Sequence, residues 1–404
     1  MTVTLADDST IAAIADQIVR GGLPAPSTDI PDLFDLDHED SAALIHGRST
    51  WHHDKDTNLV MPIMAGAAEE IEQPLGSLTF NWSAVGAAPS KQSLLIPGRT
   101  LHRRLVLRIA GTWDQSVGAE TQATEGNPVL WDSIQLNLDG RIVRPIKGAV
   151  LFEWNRIMQK GAGPKTDPTT GVASGKAFST TLYLDFAAGD LQDEVMTDKS
   201  GNPRLERPKE LTYIDLSNYA NVQLEIQPGP FSRYVSGSTQ ANMTATVTVT
   251  TTEVYGPVRR PQKHYSLLPM QTADMTTTGT DRSLPLSPKQ TSIRGLLLRV
   301  GTLSSAPIVT AITALANVGV RTRLIAGGLN FPKPKQAVGL YQSAVGFERN
   351  GIALTNGYVW IDFASDLRWR SMLNGNAYAA LDLIYDAVGT ASTNMEVYQV
   401  CLHQ

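Results

Sequence analysis

A single cysteine, Cys401, stands in this chain of 404 residues, so an intrachain disulfide and a thiolate metal cluster are both excluded. Its surroundings, VYQVCL, read as a strand with a buried thiol. An excess of one charge is also missing: 34 basic residues face 39 acidic ones, a net of −5. A dedicated nucleic-acid binder normally carries a basic stripe, and this balance argues against one. No apolar run reaches roughly 18 residues, so no transmembrane helix is predicted. The opening MTVTLADDST lacks the basic-then-apolar plan of a signal peptide. The sequence holds no HxH pair for a strand-borne metal site. It also has no GxxxxGK[ST] loop for phosphate and no GxSxG elbow for a nucleophile.

What is present favours strands. Thirty-three glycines and 23 prolines are spread among many Thr, Val, Leu and Ile residues, a mixture that suits short strands joined by elaborate loops. The length suits two or three domains, each able to bury a core. One peptide pattern occurs twice in the same order. The first pass is LVLRIAGTW at 105–113, TLYLDFAAGD at 181–190, YANVQLEI at 219–226 and TTTEVYG at 250–256. The second is LLLRVGT at 296–302, YVWIDFASDL at 358–367, YAALDLIY at 378–385 and NMEVYQV at 394–400. Each match is weak alone, but the shared order predicts two copies of one β-rich unit, the second with smaller loops or fewer strands.

Local patterns fill in the units. Residues 9–20, STIAAIADQIVR, predict a helix with Ile11, Ile14, Ile18 and Val19 roughly on one face, Ser9 as its cap and Gly21-Gly22 as its end. Twelve residues with so modest a face need a surface to dock on. Residues 24–40 read as an extended arm, with Phe34 and Leu36 among its few apolar groups. Strand-like material begins near Leu75. At 103–110, Leu105, Leu107 and Ile109 alternate with Arg104, Val106 and Arg108. Ile134, Leu136 and Leu138 define another half-buried strand, closed by an Asp139-Gly140 turn. At 148–160 the period changes: Val150, Leu151, Trp154, Ile157 and Met158 follow helical spacing. Residues 308–314 and 320–325 are expected to pair across a turn at Asn317 and Gly319, and 331–339 to form a loop. The domain expectation is an N-terminal helix and arm (1–74), a first unit (75–257), a linker (258–264) and a second unit (265–404).

Candidate chemistry is sparse. Trp51-His52-His53-Asp54 is the one dense ligand group, yet adjacent histidines on a regular element point apart, so a polar surface cluster is the better reading. The other five histidines (His38, His46, His102, His264, His403) lack ligand-like spacing. Asp185 and Asp362 occupy matching positions of the two copies, which predicts separate strand-end roles and no paired acid site. Arg259, Arg260, Lys263 and His264 read as a solvated linker. Arg103, Arg104, Arg108, Arg368 and Arg370 are candidates for interface salt bridges, and Trp113 and Trp131 for loop bases or core. No cofactor, metal or catalytic residue is expected.

About eight short strands per unit, with few helices, imply two consecutive antiparallel sandwiches of the jelly-roll kind. The segments LHRRLVLRIAGTW, NPVLWDSIQLNLDGRIVRPIKGAVLFEWNRIMQKG, TLYLDFA and NMEVYQVCLHQ give the chain, over roughly 75–404, its likeness. It resembles the double jelly-roll major capsid proteins of tailless, membrane-containing bacterial viruses, the tectivirus-like lineage. The resemblance implies a non-enzymatic protein of the virion shell. It implies homotrimers with a pseudo-hexagonal outline, packed against neighbouring capsomers, minor capsid proteins and vertex proteins in an icosahedral capsid around an internal membrane. In that picture Ile11, Ile14, Ile18, Val19, Phe34 and Leu36 are assembly or membrane-facing residues, and the protein holds no nucleic acid directly. Two alternatives stand beside it: a carbohydrate-binding or hydrolytic two-domain β-sandwich protein, and a viral spike or minor coat protein.

Overall fold

The computed structural model describes residues 50–54, 59–63 and 69–403, apart from 85, 99, 116–119, 159–164, 169–172, 198–202, 238–239, 256–263, 287–291, 306, 326 and 349–351. The chain separates into two compact units, 1–67 with 195–205, and 68–194 with 206–404. In the first unit Thr50–Asp54 pairs antiparallel with Leu59–Ile63. The predicted helix at 9–20 and the arm residues Phe34 and Leu36 lie outside the described residues.

The second unit is built from sixteen main strands. The first eight are β1 (Glu69–Trp82), β2 (Gln92–Leu95), β3 (Leu101–Gln115), β4 (Trp131–Leu138), β5 (Arg141–Ile146), β6 (Ala173–Asp185), β7 (Val222–Pro228) and β8 (Gln240–Tyr255). They form two sheets, ordered β1-β8-β3-β6 and β2-β7-β4-β5. The next eight are β9 (His264–Asp274), β10 (Gly279–Leu286), β11 (Ser292–Thr302), β12 (Leu315–Leu324), β13 (Leu329–Ala337), β14 (Tyr358–Asp362), β15 (Tyr378–Ala387) and β16 (Asn394–His403). Their sheets run β9-β16-β11-β14 and β10-β15-β12-β13. Adding eight to every label of the first pair of sheets gives the second pair. No described sheet mixes strands from before residue 256 with strands from after 263. A helix follows the fifth strand of each copy: α1 (Gly148–Met158) and α2 (Val338–Glu348).

Alternation explains the first sandwich. Leu105, Leu107, Ile109 and Trp113 of β3 point inward, as do Met243, Ala245, Val247 and Val249 of β8 and Leu78, Phe80 and Trp82 of β1. Trp113 packs edge-on against Phe231 at 4.8 Å, and Trp131 stands 5.4 Å from Phe80, so both tryptophans are core residues. Asp139 and Gly140 both have positive φ, 51° and 87°, as the two-residue β4–β5 turn demands.

Several sequence expectations need correction. β1 starts at Glu69, six residues before the expected onset, because the run EEIEQ, with a single apolar residue, pairs with residues 251–255 of β8. Asn317 and Gly319 lie inside β12, which pairs with β13 and β15, and Val309–Thr310 pairs with β11. Residues 331–339 are largely strand and the start of a helix. Pro332 and Pro334 are tolerated there because β13 is an edge strand, where missing donors do no harm. The α2 helix itself was not foreseen. Residues 210–215, rich in β-formers, hold a short 3-10 turn and only two strand residues.

Glu225 of β7 carries a testable charge. It accepts hydrogen bonds from Asn137 (2.9 Å), Lys91 (2.9 Å) and Gln135 (2.7 Å) on the outer side of its sheet. These bonds hold its carboxyl down at about 2. A depressed acid stabilises the fold above its unfolded pKa of 4.5 and loses that contribution as pH falls toward 2. Glu225→Gln is therefore expected to flatten the stability profile between those two pH values while leaving a lower plateau at neutral pH. Urea titrations across that range would read it, and an unchanged slope would rule the account out.

Candidate assembly site

Buried charged and aromatic groups of both sandwiches face one another where the two meet. The inner faces of β11, β14 and β16 (Leu296, Leu298, Val300, Val359, Ile361, Met395, Val397) bury into their own core. The opposite faces (Leu297, Tyr358, Trp360, Tyr398, Val400) belong to the core of the first sandwich. The sheet is thus buried on both sides, which is why β14 reads YVWID without alternation.

The first sandwich offers α1 to that sheet. Asn155 of α1 donates to the Tyr183 carbonyl at 2.7 Å and accepts the Tyr183 N–H at 2.8 Å, laying the helix along β6. Trp154 then reaches across to Trp360 (5.2 Å between rings) and Tyr265 (5.9 Å). Beside it, Glu153 takes the hydroxyl of Thr355, and Arg156 donates to the same hydroxyl at 3.0 Å. Nine of the eleven α1 residues are buried as a result.

A chain of ionised groups crosses the same seam. Arg299 of β11, 1% exposed, grips Glu125 of the first sandwich with two parallel bonds, Nε to Oε1 at 2.7 Å and Nη2 to Oε2 at 2.5 Å. Its third arm reaches Glu396 at 3.0 Å, and Glu396 also pairs with Lys147 of the first sandwich. The hydroxyls of Tyr358 and Tyr398 donate to Glu125 and Glu396. Burial pushes the Glu396 carboxyl up, but Arg299 and Lys147 outweigh it and hold it below the usual carboxylate range. Burial likewise opposes the Arg299 charge, and Glu125, Tyr358 and Glu396 more than restore it. A second link joins Arg294 to Asp362 of its own copy and to Asp190 of the other, at 3.4 Å.

Most residues singled out from sequence take structural places here or elsewhere. Asp362 ends β14 in the Arg294 pair and accepts the Trp360 indole N–H at 3.2 Å. Asp185 ends β6, opposite Arg104, in the other sandwich. The two acids are not brought together. Arg103 pairs with Glu70 at 2.5 Å and Arg104 with Glu72 at 3.6 Å, both within the chain. His102 is buried and bonds Thr251 at 2.7 Å. Trp51–Asp54 lies in a strand of the first unit. Cys401 is buried in β16. Among the described residues no group of three or more His, Cys, Asp or Glu is arranged to hold a metal, and no helix is long and apolar enough to cross a membrane.

No protein-family model and no curated protein matches the sequence. Solved structures do. The chain is similar to the MCP (major capsid protein) of STIV, with a TM-score of 0.55 at 15% identity over 83% of this chain and 96% of that one. A chain of the atomic structure of Sulfolobus Turreted Icosahedral Virus gives 0.57 at 15% identity, over 83% and 90%. The PBCV-1 virus capsid gives 0.52 at 10% identity, over 83% and 94%. The fold is a double jelly roll. Each roll contributes the same eight strands in the same two sheets, and the seam described above is the contact between roll one and roll two.

Proposed function

We propose that this chain is the major capsid protein of a virus, a building block whose trimers tile an icosahedral shell around an internal membrane. The observation that carries the reading is the duplicated roll. Two copies of one topology, fused through a buried seam, turn three chains into six similar wedges, and such a ring packs in a hexagonal lattice. The fold is shared, over more than four fifths of this chain, with proteins described as capsid components of STIV and PBCV-1. The net charge of −5 fits a shell that does not hold the genome itself. In this reading Ile11, Ile14, Ile18 and Val19, with Phe34 and Leu36 of the arm, face the shell interior or lock neighbouring capsomers, and minor capsid and vertex proteins complete the particle. The hydrolytic alternative loses its acid pair, because Asp185 and Asp362 end strands in different rolls and Asp362 is spent on Arg294.

The test is the mass of the purified full-length chain, followed by negative-stain imaging. A stable species at three times 43.7 kDa with a pseudo-hexagonal outline is expected. A monomer that persists across concentration and salt would overturn the capsomer reading.

A further inference from the structure

Roll two carries an apolar hairpin tip that no described residue covers. β12 and β13 join through LIAGGLNFP, residues 324–332, a stretch without a charge. Gly327 and Gly328 have φ of 90° and 89°, as a tight hairpin turn demands. Beside them Ile325, Leu329 and Phe331 are 69%, 58% and 50% exposed. A Cβ placed on either glycine would meet no atom within 4 Å, so the tip stands clear of the rest of the described residues. Its backbone is nonetheless bonded. The Leu324 N–H donates to the Gly328 carbonyl at 3.2 Å, the Gly327 N–H to the Leu324 carbonyl at 3.1 Å and the Ile325 N–H to the Ala377 carbonyl at 3.2 Å. Apolar side chains on a backbone that keeps its own hydrogen bonds can leave water without stranding those groups.

Cations flank the uncharged stretch. Arg323 lies opposite Leu329, and Lys333 lies opposite Val320. Neither holds an ion pair among the described residues. The next cations along the two strands do: Arg321 pairs with Asp382, and Lys335 with Asp281 and Asp386. The position of the hairpin adds a direction. Leu324 lies opposite Tyr378, and β10 runs out at Leu286, opposite Leu381, just before β11 sets out at Ser292. Ser292 lies opposite Leu402, and β9 begins beside it at His264, opposite His403. The Tyr265 N–H then donates to the Phe186 carbonyl at 2.6 Å, and the Phe186 N–H to the carbonyl of Arg103, which pairs with Glu70 near the start of β1. The hairpin therefore projects from the end of the rolls at which the arm enters β1.

We propose that the β12–β13 hairpin dips into the headgroup layer of a bilayer rich in anionic lipid, with Ile325, Leu329 and Phe331 against the acyl chains and Arg323 and Lys333 on the phosphates. The occupant is a lipid surface because an uncharged apolar tip between two unpaired cations matches hydrocarbon beneath a layer of negative charge. Three side chains on a narrow tip also fall short of the roughly 800 Å² per partner that a stable protein interface buries. One hairpin binds weakly, and the copies in a capsomer add their contacts. The inference rests on the reading of a shell around an internal membrane, and it names a contact separate from the helix of residues 9–20.

The full chain tests it, with one added cysteine carrying an environment-sensitive fluorophore, since the native thiol is buried. Leu329→Cys reports on the tip. Ala391→Cys, exposed between β15 and β16 at the opposite end of roll two, is the control. The probe is vesicles of equal parts phosphatidylcholine and phosphatidylglycerol at low salt. The label at 329 is expected to shift to the blue and to be quenched by lipids brominated in the upper acyl chain, while the label at 391 stays in water. Arg323→Glu with Lys333→Glu is expected to weaken the lipid titration of the tip label about tenfold or more. Vesicles of phosphatidylcholine alone are expected to weaken it similarly. A tip label that stays in water, whether or not the chain co-sediments with the vesicles, overturns the proposal, and so does a titration indifferent to both charge changes. The mass of the same samples separates the two readings. A monomer whose tip inserts overturns the capsomer reading alone, and a trimer of three times 43.7 kDa whose tip stays in water overturns this one alone.

Discussion

Arg299→Ala is expected to lower the stability of the folded chain by about 3–5 kcal/mol, the cost of stranding a buried partner charge. Arg299 and Glu125 are both almost wholly buried, and their two bonds cross the seam between the rolls. Without the guanidinium, Glu125 keeps only neutral donors such as the Tyr358 hydroxyl, and Glu396 keeps Lys147. Replacing both ends by apolar groups, Arg299→Met with Glu125→Leu, removes the stranded charge and is expected to recover most of the loss. Urea unfolding of Arg299→Ala, together with the wild type, Arg299→Met, Glu125→Leu and the double variant, measures both numbers. A single variant that costs under about 1 kcal/mol would show that the pair does not hold the seam.

The strands themselves were legible because their faces alternate. Leu105, Leu107 and Ile109 in β3, and Ile134, Leu136 and Leu138 in β4, sit on the buried side that period-2 reading assigns them. α1 was legible for the same reason at period 3.6. What failed were segments whose faces are decided by tertiary position. β13 has two prolines and an exposed pattern, so it reads as a loop until its place at a sheet edge is known. α2 lacks a polar stripe, so no amphipathic period marks it.

The repeat was legible in order and only partly in register. Three of its four matches respect the strands: Arg108 aligns with Arg299, and Thr181 with Tyr358, as the pairings require. The fourth joined Glu253 to Glu396, but Glu396 faces Arg299 whereas Arg108 faces Thr248. Those strands, β8 and β16, do correspond, with the peptides slipped by five residues. Threonine-rich β-formers carry little to fix a register. The seam was the least visible feature. Glu125, Lys147 and Glu396 are far apart in sequence and unremarkable one by one, and only the unbroken burial of LLLRV and YVWID hinted that their sheet is covered on both sides.

Trp154→Ala is expected to cost about 3–5 kcal/mol, as for other large aromatic groups removed from a core. The effect differs in kind from the loss of Trp113, which packs inside roll one against Phe231 and Tyr234. Trp154 is carried by roll one but packs against Tyr265 and Trp360 of roll two, so its indole ties the outer face of roll two's sheet to the core of roll one. Roll two meanwhile keeps a second cluster of its own, made of residues such as Val300, Val359 and Met395. With the shared indole gone, each roll retains a private core and loses its tie to the other. Unfolding followed by fluorescence and far-UV dichroism is therefore expected to split into two steps for Trp154→Ala and to remain a single, earlier step for Trp113→Ala. A single step in both variants would place the cohesion of the rolls in the ion pairs of Arg299 and Arg294, and the aromatic contact would then be packing without a coupling role.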